Sequence, residues 1–226
     1  MNINEIITAA KTLIIPDKVE SYLSSILPKA SWKEVIVNYS MFFIITLILS
    51  IISLLVRVFL SSLLGTAFGG LTTGATMGAS SLVGGLIGVV ISFVAIIVIT
   101  IIGVLLLYLI AKFFGGKGSL LQQFYLLSVI SVGFLPISIV LSLLMLVPCI
   151  SCIALIGALV LGLYMIYVNY LMIKAAHSLS SSDALKAMVV YIVIVIIVVV
   201  ILFAIIFLLG MASMLGLSAL TASKPY

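Results

Sequence analysis

Lys112-Phe113-Phe114-Gly115-Gly116-Lys117-Gly118-Ser119 is a short basic, glycine-rich island between two long apolar runs. Its lysines bar it from a hydrocarbon core, and its glycines let one helix turn into the next. A second island, Lys174-Ala175-Ala176-His177-Ser178-Leu179-Ser180-Ser181-Ser182-Asp183, lies two apolar segments further on. Reading both as loops on one side of a membrane organises the rest of the chain.

The composition requires a membrane. Of 226 residues, 65% are hydrophobic and 7% charged, whereas a soluble domain carries about 25% charged residues. Five runs reach the roughly 20 residues that cross a bilayer as helix. They are expected at about 35–56, 83–111, 120–146, 149–172 and 184–210, giving an all-α bundle of five transmembrane helices within a membrane domain at 31–226. Residues 1–30 carry two apolar stripes, Ile3 to Ile14 and Val19 to Leu27, separated by Pro16-Asp17. They predict two short amphipathic helices, either lying in the interface or packed on the bundle itself. Glu5 and Lys11 interrupt any signal-peptide core, so the N-terminus is expected in the mature protein.

With five spans, Lys11, Lys18, Lys29, Lys33, Lys112, Lys117, Lys174 and Lys186 share a side, against Arg57 and Lys224 on the other. That asymmetry predicts the N-terminus inside and the C-terminus outside. Tyr39, Tyr108, Tyr125, Tyr167, Tyr170 and Tyr191 fall near the same inner ends, at headgroup depth. The cell membrane is the expected location. The net charge of +5 serves orientation and headgroup contact, and no basic stripe with interleaved aromatics points to nucleic acid.

Finer features refine the spans. Residues 58–82, rich in Gly, Ser and Thr, predict a connection beyond Arg57. Gly70, Gly74 and Gly78 suit a loop or short re-entrant turn, and Gly84 and Gly88 suit close helix packing. Pro136 should kink the third span. Gln122, Gln123 and Asn169 lie near the inner interface and are expected to bond to neighbouring helices. Ser180-Ser181-Ser182-Asp183 has the spacing of a helix N-terminal cap.

The order of these features resembles the Yip1 domain family of five-span membrane proteins. The match rests on Ala111 to Ser119 followed by a helix with Pro136. It rests also on Lys174-Ala175-Ala176-His177-Ser178-Leu179-Ser180 followed by Ala184, and on the Pro16-Asp17 break. The resemblance implies five spans and a cytosolic N-terminus. In eukaryotes it implies a role in early secretory traffic with prenylated Rab GTPases. The D-L-Y-G-P motif of those members has no counterpart here, so small-GTPase binding follows by family analogy only. The chain is similar to the short prokaryotic members.

Chemistry is sparse. A phosphate loop needs G-x-x-x-x-G-K-S/T between a strand and a helix; here Gly118 follows Lys117 and a membrane helix precedes, which disfavours nucleotide. Lys112, Gly115, Gly116, Lys117, Lys174 and His177 are the candidate contacts to lipid phosphate or partner proteins on the cytosolic face. The plainer alternative is a topology-setting loop with an exposed imidazole at His177. Cys149 and Cys152 form a C-x-x-C whose readings are a local disulfide, buried thiols or redox chemistry. A lone histidine and two cysteines make no metal site, and no cofactor is expected. The expected function is a non-enzymatic scaffold or adaptor that binds lipids, partner membrane proteins or further copies of itself. Alternatives are a small-molecule or ion permease, disfavoured by spans without ionisable groups in their middles, and a membrane thiol–disulfide protein.

Overall fold

A computed structural model describes residues 3–67, 78–147 and 150–222. Among them are seven α-helices and no strand: α1 (Ile3–Leu13), α2 (Pro16–Ile26), α3 (Trp32–Ala67), α4 (Gly78–Phe113), α5 (Leu120–Leu144), α6 (Ser151–His177) and α7 (Ser181–Ala222). A 3-10 turn at Leu27–Lys29 joins α2 to α3. The five helices from α3 to α7 are each long and apolar enough to cross a membrane. The expected bundle of five spans is therefore present.

Several boundaries differ from the sequence reading. Helix α3 continues ten residues past Arg57 to Ala67, and α4 already begins at Gly78, which shortens the expected 58–82 connection from both ends. A basic residue and scattered Gly/Ser/Thr do not stop a helix whose neighbours are aliphatic. Gly69, Gly70 and Gly74 lie outside the described residues, as does Lys224. Gly84 and Gly88 were expected in close packing, yet a Cβ on either would meet nothing within 4 Å; Gly85 is the one set against Leu54. Pro136 sits inside α5 without ending it.

The core gathers at the Lys-rich end. Helix α5 is its axis: Gln123, Tyr125, Leu126 and Ser128 to Leu135 are buried apart from the partly exposed Ser131. Helix α3 packs on it through Val35 and through Asn38, whose Nδ2 donates to Ser128 Oγ at 3.2 Å. The Trp32 and Phe124 rings lie 6.0 Å apart at the same end.

The N-terminal helices resolve in favour of packing on the bundle. Ala9 and Leu13 of α1 and Val19 and Leu23 of α2 have no exposed surface. A Cβ at Gly133 would stand 2.6 Å from Leu13 Cδ1, so the missing side chain is the notch that receives α1. Tyr164 Oη on α6 donates to the Leu13 carbonyl at 2.7 Å, which satisfies one of the orphan acceptors at the end of α1. Burial pushes the Tyr22 phenol up to about 12, helped by Tyr125 and Glu5 nearby. Thus α1 ends beside Gly133, which lies roughly 20 Å along α5 from its first residue. The α1–α2 hairpin is a built-in wedge, with Ile14 and Ile15 exposed at its tip.

Candidate functional site

The two islands meet. Lys174 to His177 form the last turn of α6, and Ser178 caps it in the left-handed region (φ 51°, ψ 39°). Only Ser178, Leu179 and Ser180 separate α6 from α7. Ser180 Oγ accepts the Asp183 N–H at 3.1 Å and donates to Asp183 Oδ2 at 2.7 Å, which is the expected cap. Lys186 Nζ lies 3.2 Å from Asp183 Oδ1.

The first island folds over this turn. The Lys117 N–H donates to the His177 carbonyl at 3.0 Å, and the Gly116 N–H to the Ala111 carbonyl at 2.9 Å. Gly115 has φ +86°, which favours glycine. Gly116 and Gly118 are required for contact. A Cβ at Gly116 would lie 2.9 Å from His177 Nδ1, and one at Gly118 would lie 2.0 Å from the Ala176 carbonyl oxygen. Ser119 then opens α5 with a capping box to Gln122, so Gln122 serves its own helix and not a neighbour.

His177 is a correction to the sequence reading. It is fully buried, with no exposed surface, and neither lipid phosphate nor a partner carboxylate reaches it. Its Nε2 lies 2.8 Å from Gln123 Oε1, and Gln123 Nε2 donates to the Val104 carbonyl at 2.9 Å. The Tyr108 ring lies 5.7 Å from the imidazole. One amide therefore ties α4, α5 and α6 together. Lone histidines in loops are ordinarily exposed; the clue here was the glycine triplet, which makes room for a ring. Asn169 was also expected to bond across helices, but its Nδ2 donates to Met165 on its own helix.

What faces outward is smaller and sharper. Lys112 and Lys117 are exposed, and Phe113 between them is 86% exposed. Lys112 Nζ lies 5.6 Å from the Tyr108 ring centre. Phe114 meets Phe113 edge to face, with ring centres 5.5 Å apart. Lys174, by contrast, turns to Glu20 of α2 at 2.8 Å and clamps the hairpin to α6. Of the candidate contacts, Lys112, Gly115 and Lys117 lie at the surface, Gly116 and His177 are interior, and Lys174 is half-buried in an ion pair. Cys152 is exposed in the first turn of α6 and carries a free thiol, so the local disulfide expected from the C-x-x-C is not formed there; Cys149 lies outside the described residues. No group of three His, Cys, Asp or Glu side chains suited to a metal occurs among the described residues.

A family model for the Yip1 domain matches residues 24–205, from the end of α2 to within α7. The chain belongs to the Yip1 domain family. It is a multi-pass membrane protein, and both islands lie inside the match. Neither a curated protein nor a solved structure matches the chain. Helix α1 and most of α2 precede the matched segment.

Proposed function

We propose that this Yip1-domain protein is a non-catalytic scaffold of the cell membrane, with its Lys-rich end in the cytosol. It engages partner membrane proteins, lipids and further copies of itself from that end. The observation that supports this reading is Phe113, an almost wholly exposed aromatic between two exposed lysines. Its loop is held by the Lys117–His177 backbone bond and by glycines that abut α6. A rigid mounting lowers the ordering cost of binding, and an aromatic flanked by cations suits an interface between protein and headgroups.

The test is affinity capture of the tagged full-length chain with native lipids retained, comparing wild type with Phe113→Ala and with Lys112→Gln/Lys117→Gln. These positions are exposed, so both variants should fold and elute as wild type does. Loss of a co-purifying protein or lipid in both supports the scaffold reading. An unchanged set of partners returns the loop to a purely topological role.

A further inference from the structure

A groove of about 450 Å³ opens on the side of the bundle between α3, α4 and α5. Trp32, Tyr39 and Phe43 of α3, Thr100 and Ile101 of α4, and Phe124 of α5 wall it. Its rim is apolar and outward-facing: Ile36, also lining it, is 62% exposed and Ile101 44%. In a chain that spans a membrane, that opening faces acyl chains. The aromatic walls are fixed, because Tyr39 stacks on Phe43 at 5.7 Å and meets Phe124 edge-on at 6.3 Å.

Charge stands at one end of this groove. Lys33 shares the helix face of Ile36 and Ser40, three and seven residues on, and so lies at the inner mouth. Lys29 ends the turn just before Trp32. Both lysines are exposed and neither has an ion pair among the described residues. Glu34 lies on the opposite face of α3 from Ile36.

We infer that the α3–α4–α5 groove binds one anionic phospholipid of the Lys-side leaflet, with an acyl chain along the aromatic wall and its phosphate between Lys29 and Lys33. These residues are separate from the Phe113 loop, so the failure of either proposal leaves the other standing.

Trp32 is the sole tryptophan and borders the groove, so it reports occupancy directly. The full chain is reconstituted in phosphatidylcholine vesicles carrying a minor fraction of chain-brominated phosphatidylglycerol or chain-brominated phosphatidylcholine. A specific site gives stronger Trp32 quenching by the anionic lipid, with a preference of roughly fivefold per lysine. Lys29→Gln/Lys33→Gln should erase the preference. Ser40→Phe, an exposed position that fills the groove, should lower quenching by both lipids. Equal quenching of wild type by the two lipids overturns the inference. So does a preference that survives the lysine changes, or quenching that Ser40→Phe leaves undiminished, since contact would then be confined to the surface.

Discussion

The two ends of this bundle are made of the same aliphatic residues and are built differently. At the Lys-rich end α4, α5, α6 and α7 bury Leu107, Ala111, Leu126, Ile130, Met172, Ile173, Ala184 and Met188 in one cluster. Toward the other end, Val198 to Phe203 of α7 are all exposed, as are Val90, Ile91 and Val94 of α4. Hydrophobicity does not separate the ends, because lipid tails solvate Leu and Val as well as a helix does. The difference lies in shape and polarity. The Lys-rich end has notches at Gly116, Gly118 and Gly133, and buried polar links through Asn38, Gln123 and His177. The far end offers branched side chains with little to interlock.

Substitutions at the notches should break this contrast most severely. Gly118→Ala sets a Cβ against the backbone of Ala176, which no rotamer relieves. The loss should be about 3 kcal/mol or more, read as a large fall in melting temperature and in monodisperse yield. Next comes Gln123→Leu, which leaves the Val104 carbonyl and His177 Nε2 buried without their partner. Its cost should be about 2 kcal/mol by the same melting assay, with the exposed Phe113 loop becoming more accessible to protease.

Much of the fold was legible because it follows from composition and spacing. Five apolar runs and the Ser180–Asp183 cap need no tertiary information. The contents of the Lys-rich end were harder to read. Nothing in the sequence near His177 states that a loop sixty residues earlier will cover it, since coverage depends on Gly116 and Gly118 meeting the end of α6. The docking of α1 likewise depends on a single missing Cβ at Gly133 in the middle of α5. Gly84 and Gly88 have the four-residue spacing of a packing motif and receive nothing, whereas Gly133, with no glycine four residues away, is a notch, so spacing alone did not separate the two. Lys112 and Lys117 were found as surface groups by charge, whereas Phe113 was overlooked because an aromatic among aliphatics carries no signal of exposure.

Smaller changes sharpen the comparison. Tyr164→Phe removes the bond to the Leu13 carbonyl and should cost about 1 kcal/mol. Its clearer readout is faster proteolysis within residues 3–29. Gly88→Ala, with open space around it, should leave the melting temperature unchanged or raise it slightly through helix propensity.

The docked N-terminal hairpin is the part of the Lys-rich end least expected of a short polar segment, and cross-linking in native membranes tests it directly. In a chain with Cys149 and Cys152 changed to Ser, Leu13→Cys is paired with Gly133→Cys, which removes the Leu13 Cδ1 that a Cβ at Gly133 would meet; the control joins Ile14→Cys to Gly133→Cys in a chain with Leu13→Ala, so that the notch stays open there too. A wedge seated on α5 gives rapid oxidative cross-linking of the first pair and little of the second. Equal or absent cross-linking of both pairs, in protein that otherwise folds, would contradict a hairpin built into the bundle.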